Sequence, residues 1–300
     1  MLTVTILGNN SAIPAYGRNP TAQVLQTPEE SFLIDCGEGT QVRLLQYKIK
    51  TSRISHIFIS HLHGDHYFGL IALLSSMALQ NRQQPVHLHA PAALEKLIQL
   101  HLDVADATLS FPLHFHALEN AGIIADTPTV TVSCFPMQHR IPCWGFVFTE
   151  KKNLRKIDPV RVQSYGVPPT YYNRLQQGED YIHPKGTIVP NSELTIEAEP
   201  PKRYAYCGDT LYTEDILEHI RGVDLLYHET TYLKDFGPKA EKYFHSTTEQ
   251  AGRIAELCGA GRLLIGHFSS KYETLEYYLE ETRAVFPQTD LAIEGACFKV

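Results

Sequence analysis

The chain of 300 residues has no closely spaced cysteines and no long apolar run. Its six cysteines are scattered without a Cys-x-x-Cys pair, so they predict reduced core thiols, not a disulfide framework. No stretch approaches the roughly twenty apolar residues that a membrane helix needs, so no membrane partner is expected. The N-terminal segment alternates polar and apolar residues and lacks the basic start of a signal peptide, which favours a cytoplasmic location.

Positive charge is also scarce in this chain. The 26 lysines and arginines are outnumbered by 33 acidic residues, and the formal net charge is −7. This balance argues against sequence-blind binding of nucleic acid through the whole surface, but it does not exclude a local basic patch. Carboxylates gathered as metal ligands would inflate the negative count, and bound cations would cancel part of it.

Histidine, in contrast, is concentrated. Three imidazoles and a carboxylate stand within residues 61–66, directly after the apolar run 57–60, which reads as a buried strand. Neutral imidazole suits zinc, and a carboxylate can both ligate a metal and accept a proton. Four such groups in one loop can serve two neighbouring metal ions. The alternative interpretation is a solvated polar turn that happens to be rich in histidine.

Further metal ligands are expected elsewhere, because two zinc ions need about four ligands each. His139, Asp209 and His267 each follow an apolar run directly. Each signal is weak alone, since a single histidine after a strand is usually a hydrogen-bonded surface residue and Gly-Asp-Thr is usually a turn. Their weight comes from occurring together with the 61–66 loop.

The remaining histidines are predicted to be structural or surface residues. Two pairs alternate along apparent strands, but neither has a neighbouring acid in ligand register. The histidines in this class are His56, His87, His89, His101, His114, His116, His183 and His219.

Strand and helix patterns alternate through both halves of the chain. Two similar halves that each offer ligands at strand ends predict an α/β fold of the α/β/β/α sandwich type. Helices are predicted at 67–80 and 213–220, and a late strand at 291–294. Between the halves, prolines, glycines and tyrosines cluster over residues 151–201, which predicts an insertion within a single domain spanning 1–300.

Several longer motifs occur in a fixed order along the chain. They are Leu7-Gly8-x-x-Ser11-Ala12-x-Pro14, Arg18-Asn19, Asp35-Cys36-Gly37-Glu38-Gly39-Thr40, Gly166-Val167-Pro168-Pro169, Tyr206-Cys207-Gly208-Asp209-Thr210, His228-Glu229-Thr230-Thr231, His245-Ser246-Thr247 and His267-Phe268-Ser269-Ser270-Lys271-Tyr272. Together with the 61–66 loop, they resemble the metallo-β-lactamase superfamily and, within it, the ribonuclease Z family. That family matures the 3′ ends of transfer RNA. The resemblance covers nearly the whole chain.

The resemblance implies a metallo-β-lactamase fold that binds two Zn²⁺ per subunit. One zinc would be held by His61, His63 and His139, the other by Asp65, His66 and His267, and Asp209 would bridge them. It implies a hydrolase that cuts precursor tRNA to leave a 3′-hydroxyl on the tRNA and a 5′-phosphate on the trailer, and a homodimer. One alternative is another hydrolase of this fold, acting on a small phosphodiester or a thioester. Another is a binding module with a decayed site.

Three residues are predicted to take part in the chemistry. Asp65 could orient the nucleophile or accept its proton, and His245 could protonate the leaving oxygen. Glu229 is the predicted carboxylate partner of His245. His245 precedes Ser246-x-x-Glu249, a capping-box pattern that predicts a helix start. Alternatively, His245 only leads into that helix.

A local basic cluster opens the insertion, with tyrosines close behind. Charges of this kind neutralise phosphates, and tyrosines can pack on sugars or bases, although a solvated surface is the alternative. The resemblance favours an exosite arm that grips the elbow of tRNA, and it assigns the early loop to sensing the tRNA 3′ end, with Tyr16 where the family commonly has lysine. The predicted substrate contacts are Arg18, Asn19, Lys151, Lys152, Arg155, Lys156, Tyr171 and Arg174.

Overall fold

The computed structural model describes residues 2–151 and 154–300. Lys152, one of the predicted substrate contacts, lies outside the described residues. The chain divides into two compact units, of which unit 1 comprises Met1–Thr149 with Lys202–Val300, and unit 2 comprises Glu150–Pro201.

The strands of the described residues are numbered in chain order. They are β1 Thr3–Gly8, β2 Ala22–Gln26, β3 Ser31–Ile34, β4 Ile54–Phe58, β5 Val86–Ala90, β6 Leu113–Ala117, β7 Gly122–Asp126, β8 Val130–Met137, β9 Cys143–Glu150, β10 Lys156–Ile157, β11 Tyr181–Ile182, β12 Ile188–Val189, β13 Thr195–Ile196, β14 Arg203–Cys207, β15 Leu225–Glu229, β16 Arg262–Gly266, β17 Thr289–Leu291 and β18 Cys297–Lys299.

The α-helices of the described residues are numbered in the same way. They are α1 Thr40–Gln46, α2 Gly64–Tyr67, α3 Leu70–Leu79, α4 Ala93–Val104, α5 Pro159–Ser164, α6 Tyr172–Gln176, α7 Asn191–Leu194, α8 Leu217–Ile220, α9 Gly237–Tyr243, α10 Thr248–Cys258 and α11 Glu276–Val285. Short 3₁₀ turns occur at Thr51–Arg53, Pro169–Tyr171 and Lys234–Phe236. Within the described residues, every helix is too short or too polar to span a bilayer.

Unit 1 contains two seven-stranded sheets. The first has the order β18-β1-β2-β3-β4-β5-β6, and the second has the order β17-β16-β15-β14-β9-β8-β7. Alternation of side chains along each strand gives every sheet an inner and an outer face. Inner-face residues of both sheets, such as Phe32, Phe58, Phe146 and Tyr204, form one buried cluster between the sheets.

The outer face of each sheet is covered by helices. On the first sheet, Leu33 and Ile57 pack with residues of α3 and α4 in a second buried cluster. On the second sheet, Leu226 and Ile265 pack with residues of α10 and α11 in a third. Unit 1 is therefore an α/β/β/α sandwich, and the predicted fold class is confirmed.

Parallel pairing determines where the strand ends of unit 1 meet. Strands β3, β4, β5 and β6 run parallel in the first sheet, and β14, β15, β16 and β17 run parallel in the second. Parallel strands present their carboxyl ends at one edge of the sheet, and in open α/β sheets that edge is where ligands bind. The loops after β4, β14, β15 and β16 all start from such ends.

Unit 2 consists of small elements around its own core. Strand β10 pairs with β13 and β11 pairs with β12, both antiparallel. Residues of α5, α6 and α7 complete the core, in which Val162, Leu175 and Leu194 are buried. Asp158 caps α5, because its side chain accepts hydrogen bonds from the N–H groups of Val160 and Arg161 at 3.0 Å.

Three predicted elements differ from the structure. The predicted helix 67–80 is broken at Gly69, whose N–H donates to the Cys36 carbonyl and whose close contact with Gly37 leaves no room for a Cβ. The predicted helix 213–220 is helical only from Leu217, because the Thr213 hydroxyl accepts from the Asp215 N–H and turns the backbone. The late strand is Thr289–Leu291 and not 291–294, since Leu291 is the last residue in register with β16.

Phe58 supplies a test of the packing between the sheets. Its ring lies 5.5 Å from Phe146 and 5.3 Å from Phe148, both on the opposite sheet. Phe58→Ala should lower the free energy of unfolding by about 3–5 kcal/mol, because the cavity cannot collapse between two sheets. Urea denaturation measures the loss. Leu79→Ala, at a side chain that is 86% exposed, is the control and should change stability little; equal losses would contradict this packing scheme.

Candidate metal centre and active site

The seven predicted metal ligands lie together at one end of the sandwich. His61 and His63 follow β4, and Asp65 and His66 lie on α2. The other three ligands come from the second sheet, each in the loop directly after a strand: His139 follows β8, Asp209 follows β14 and His267 follows β16. Because both sheets contribute, the group joins the two halves of the sandwich.

The first group of ligand atoms surrounds His63. His63 Nδ1 lies 3.0 Å from His61 Nε2 and 3.1 Å from His139 Nε2. Asp209 Oδ2 completes the group at 3.5 Å from His61 Nε2 and 3.8 Å from His139 Nε2. One ligand atom of each residue lies within 4.8 Å of the others, so the four can hold a metal ion.

The second group consists of Asp65, His66 and His267. Asp65 Oδ2 lies 3.6 Å from His66 Nε2 and 3.4 Å from His267 Nε2. The two imidazole nitrogens are 3.3 Å apart. This group also meets the spacing expected of metal ligands.

Asp209 lies between the two groups and turns one oxygen to each. Its Oδ1 lies 3.1 Å from His267 Nε2 and 3.3 Å from His66 Nε2, whereas Oδ2 faces the first group. Oδ1 is buried and, among the described residues, makes no hydrogen bond of normal geometry. Burial raises the pKa of Asp209, but His267, His66 and His61 outweigh it and hold the pKa well below its usual range. An ionised, buried oxygen that faces imidazole nitrogens without a well-aligned hydrogen bond is an arrangement that a bound cation satisfies.

The imidazoles of the first group are in the protonation state that binds a metal. Burial is the main reason that the pKa of His63 and that of His139 are each lowered to about 4. Burial likewise lowers the pKa of His61. All three imidazoles are therefore neutral at pH 7, which is the form that ligates a metal.

His66 has the opposite electrostatic environment. Burial lowers its pKa, but the carboxylates of Asp209, Asp65 and Asp35 outweigh burial and raise the pKa well above the usual value. The second group therefore attracts positive charge. A metal ion that binds there has to displace a proton from His66, which couples metal affinity to pH.

Neighbouring residues orient the ligand imidazoles. His139 Nδ1 lies 2.9 Å from the Phe244 carbonyl oxygen, and His267 Nδ1 lies 2.8 Å from Thr231 Oγ1. His267 itself has a φ of 60°, in the left-handed region that a non-glycine residue seldom adopts. This conformation is part of how the loop after β16 directs the ring into the cluster.

Asp35 is a site residue to which sequence reasoning assigned no role. It is fully buried after β3, and its carboxylate accepts hydrogen bonds from Ser60 N–H at 2.7 Å, His66 Nδ1 at 2.7 Å and the Tyr206 hydroxyl at 2.6 Å. Such a carboxylate holds the ring of a ligating histidine and selects its tautomer. The only signal in the sequence is its position directly after a strand, at the head of the Asp-Cys-Gly motif.

His245 and Glu229 lie side by side next to the ligand cluster. His245 Nδ1 is 2.8 Å from Glu229 Oε1, and Glu229 is fully buried, where its Oε2 accepts from the Thr231 N–H at 2.9 Å. Burial lowers the pKa of His245, but the carboxylates of Glu229 and Asp209 outweigh it and raise the pKa to about 9. An imidazolium held in this way can donate a proton at pH 7.

The predicted helix start beside His245 is displaced by one residue. The structure places the N-cap at Thr247 and the reciprocal capping box between Thr247 and Gln250, not between Ser246 and Glu249. The Ser246 hydroxyl instead donates to the Thr210 carbonyl at 2.8 Å. This bond joins the loop of His245 to the loop of Asp209. The Ser246 hydroxyl is therefore engaged there and does not cap α10.

A cavity of about 530 Å³ opens over the cluster. Its wall includes His63, Asp65, Asp209 and His245, together with residues 11–14 of the early loop. The Ala12 N–H donates to Asp65 Oδ2 at 2.7 Å, so this loop reaches the ligands directly.

Arg18 and Asn19, two predicted substrate contacts, hold the early loop in place. The Arg18 guanidinium is buried and donates to Asn10 Oδ1 and to the carbonyls of Tyr272 and Glu273 at 2.5–2.9 Å. The Asn19 amide donates to Glu294 at 2.8 Å. In this structure both side chains bind neighbouring loops and do not line the cavity.

The other predicted substrate contacts that the structure describes lie in unit 2 or at its start. Arg155 donates to Thr195 at 2.7 Å, and Arg174 forms an ion pair with Glu179 at 2.6 Å while lying over the ring of Tyr171. Lys156 is exposed on β10, and Lys151 precedes it in the chain.

Comparison with known proteins places these observations in a family. A beta-lactamase superfamily domain model matches residues 30–268. Ribonuclease Z of Bacteroides fragilis strain YCH46 is 42% identical over 297 residues, which cover 98% of this chain and 98% of that protein. Ribonuclease Z of Porphyromonas gingivalis strain W83 is 38% identical over 294 residues, covering 97% of each.

Solved structures extend the comparison to the fold. The crystal structure of the short form of human tRNase Z has a TM-score of 0.73 to this chain at 27% identity, and the match covers 99% of this chain and 98% of that one. Sequence identity and fold agree over nearly the full length. The chain therefore belongs to the ribonuclease Z family of the beta-lactamase superfamily.

Proposed function

We propose that this protein is a zinc-dependent endoribonuclease that removes 3′ trailers from precursor tRNA. Cleavage leaves a 3′-hydroxyl on the tRNA and a 5′-phosphate on the trailer. The observation that carries the proposal is the pair of ligand groups on either side of Asp209, in a chain that belongs to the ribonuclease Z family. Imidazole nitrogens with carboxylate oxygens are a ligand set that zinc prefers.

The residues present fit two zinc ions. His61, His63 and His139 would hold one, Asp65, His66 and His267 the other, and Asp209 would contribute one oxygen to each. Bound there, zinc would supply a water of lowered pKa and positive charge for the phosphoryl oxygens. Asp35 would keep the His66 ring in its ligating orientation, since it already holds Nδ1 at 2.7 Å.

Asp65 is suited to a second role beside that of ligand. Burial raises its pKa, but His66 and His267 outweigh burial and lower the pKa below its usual value. The carboxylate is therefore ionised at working pH. It faces the cavity, where it can orient the attacking water and accept its proton.

His245 is the proposed donor of the proton to the leaving 3′ oxygen of the tRNA. It lines the cavity, and Glu229 holds its Nδ1 side, so that the other ring nitrogen is the one free to donate. The raised pKa keeps the ring protonated until the donation. Glu229 does not touch the substrate in this scheme, so it is a positioning residue.

Unit 2 is the proposed arm that grips the elbow of tRNA. It is built around its own small core, and it carries the basic residues Arg155, Lys156 and Arg161 in a chain that is acidic overall. Basic side chains on such a unit would neutralise backbone phosphates of the tRNA elbow. The proposal treats 1–300 as one metallo-β-lactamase domain with 151–201 inserted as this arm.

Family membership extends the proposal to a homodimer that works in the cytoplasm. In such a dimer, the arm of one subunit could serve the active site of the other. Exposed apolar side chains on α1, Val42 and Leu45, and Phe68 next to α2 are surface that a subunit interface could cover.

Removal of metal should abolish cleavage. After treatment with a chelator, the protein should leave a 3′-extended tRNA uncut, because neither the water nor the phosphoryl group is then activated; added zinc should restore cleavage. Metal analysis should give about two zinc per chain, and end-group analysis should show a 3′-hydroxyl on the tRNA. Cleavage that persists in metal-free protein, or a preference for a thioester over precursor tRNA, would contradict the proposal.

His245→Ala should lower kcat for precursor tRNA by about 10²–10⁴-fold, the range of general acid catalysis, with zinc content unchanged. In the parent enzyme the rate should fall as pH rises through the pKa of His245, because only the protonated ring donates. Glu229→Gln removes the charge that raises this pKa, so the alkaline limb should move to lower pH. The loss of kcat and the shift of the alkaline limb are both measured from pH–rate profiles of the parent and the two variants.

Zinc content separates the possible explanations for these two variants. If His245→Ala loses zinc in proportion to its activity, His245 is structural and the assignment fails. Thr213→Val, a hydroxyl-to-methyl change outside the cavity wall, controls for general effects of substitution and should leave both limbs of the pH–rate profile unchanged.

The arm can be removed between two strand residues that already pair with each other. Thr149 on β9 and Arg203 on β14 are partners in antiparallel register, so a short glycine-rich turn can replace residues 150–201. The affinity for precursor tRNA should fall at least about tenfold and its salt dependence should become shallower, because phosphate contacts are lost. Hydrolysis of bis(p-nitrophenyl) phosphate should be unchanged. Equal loss on both substrates would show that unit 2 is not a substrate arm.

A further inference from the structure

The loop after β8 carries an arginine that has no role in the proposed reaction. Arg140 follows the metal ligand His139 directly, and its side chain is exposed. It lines the wall of the cavity over the ligand cluster, and among the described residues it is the only lysine or arginine in that wall. A cationic side chain at this place can act on the negatively charged backbone of an RNA substrate.

Arg140 has almost no partners on the protein itself. The only polar contact of its guanidinium among the described residues is with His63, whose Nε2 lies 3.1 Å from Nη2. Arg18, in contrast, donates to Asn10 and to two backbone carbonyls. A guanidinium has five N–H donors, so most of those of Arg140 have no acceptor in the described part of the chain.

His63 presents its two ring nitrogens to different partners. Nδ1 lies 3.0 Å from His61 Nε2 and 3.1 Å from His139 Nε2, within the first ligand group, whereas Nε2 lies next to Arg140. A guanidinium only donates, so Nε2 is the acceptor in this contact. A neutral imidazole accepts at one nitrogen and carries its proton on the other. The contact with Arg140 therefore places the proton on Nδ1, the nitrogen that faces the other ligands.

Ligation of a metal by His63 requires the opposite arrangement of the ring. A nitrogen that ligates a metal carries no proton, so the proton of the neutral ring is then on Nε2. Nε2–H and the Arg140 N–H groups are both donors, and the 3.1 Å contact has lost its acceptor. The hydrogen bond between Arg140 and His63 and the ligation of metal through Nδ1 therefore exclude each other.

A guanidinium released at the wall of the cavity is suited to bind phosphate. It stays charged at neutral pH, and its planar N–H groups match two phosphate oxygens at once. Arg140 lies at Nε2, on the far side of the His63 ring from Nδ1 and the other ligand atoms of the first group. This position favours a phosphate beside the one that is cut.

We propose that Arg140 binds the RNA backbone at a phosphate next to the scissile one, and that metal binding to the first group frees it from His63. The inference rests on the proposed function, because it requires an RNA substrate. Arg140 is then a substrate-binding residue that becomes available only when the site is loaded. It contributes to the affinity for RNA and not to the orientation of the ligand imidazole.

The first test is the affinity for 3′-extended tRNA, measured by fluorescence anisotropy on the zinc-loaded, full-length protein in a His245→Ala background that slows cleavage. Arg140→Gln should raise Kd at least about tenfold, as expected for loss of hydrogen bonds to a charged group. The slope of log Kd against log salt concentration should become shallower by about one, because one phosphate contact is lost.

A second readout is zinc affinity, measured by competition with a chromophoric chelator. Arg140→Gln should bind zinc at least as tightly as the parent, because the variant no longer holds the proton on His63 Nδ1. A side chain that orients His63 for the metal would have the opposite effect. Weaker zinc binding by Arg140→Gln would therefore show that Arg140 supports the ligand, and it would overturn the proposal.

Substrates with a single uncharged methylphosphonate linkage locate the contact. Neutralising the phosphate that Arg140 binds should weaken binding to the parent, and combining that change with Arg140→Gln should cost no more than either change alone. We expect this coupling at a phosphate adjacent to the scissile one. Coupling at the scissile phosphate only, or at none of these positions, contradicts the assignment.

Arg221→Gln is the matched control, since it removes the same charge from an exposed arginine outside the cavity wall. Arg221 precedes β15, at the opposite end of that strand from the ligand cluster. Its variant should keep the parent's Kd for RNA, zinc affinity and kcat. An unchanged Kd in Arg140→Gln, or an equal loss in Arg221→Gln, overturns the inference alone. A parent that neither binds nor cleaves 3′-extended tRNA overturns the proposed function as well.

Discussion

The buried carboxylate of Asp209 is the constraint around which the site is built. An isolated ionised carboxylate costs several kcal/mol or more to bury, so it persists only where positive charge or strong donors face it. Here imidazoles from both sheets face its two oxygens, and the nearest nitrogen is 3.1 Å from Oδ1. The carboxyl ends of both sheets therefore have to meet at one place. The electrostatic requirement of a single side chain and the packing of the sandwich are satisfied by the same arrangement.

A chain of hydrogen bonds connects the ligand cluster around Asp209 to the core between the sheets. Tyr206 on the second sheet donates to Asp35 on the first, and Asp35 holds His66 in the cluster. Buried polar networks of this kind stabilise a structure only when every member is satisfied. Asp35 meets that condition with four contacts, because the Ser60 N–H and hydroxyl also donate to it. The orientation of a ligand imidazole thus depends on the relative position of the two sheets, which the large aromatic side chains between them determine.

Sequence reasoning was most successful where a signal is local. The alternation of strand and helix patterns identified the sandwich, and the spacing within 61–66 directed attention to the loop that the structure places at the centre of the cluster. Polar residues directly after apolar runs were the signal for His139, Asp209 and His267. Parallel pairing explains why Asp209 and His267 meet, whereas His139 follows β8, in the antiparallel part of the same sheet. The contact between His245 and Glu229 was also expected, although it spans 16 residues along the chain.

Contacts that depend on tertiary structure could not be predicted from the sequence. Nothing in the spacing of Asp35 relates it to His66, 31 residues away, because the two meet only through the pairing of β3 with β4. The cap at Thr247 could not be chosen over Ser246, since both fit the pattern and the choice depends on the Thr210 carbonyl, 36 residues from Ser246. The break of the predicted helix 67–80 at Gly69 has no local signal either, because the backbone of Gly37, against which Gly69 packs, is distant in sequence.

Two buried histidines of this protein show that neighbouring carboxylates, more than burial, decide the protonation state of an imidazole. His66 and His89 are both buried, and burial lowers the pKa of each. Around His66, three aspartates reverse the effect; around His89, other imidazoles increase it and the pKa falls to about 2. A cation entering the active-site cluster replaces a proton and neutralises excess negative charge, whereas the rings around His89 are neutral and leave no negative charge to neutralise. The active-site cluster should therefore bind cations more tightly than the imidazoles around His89 do.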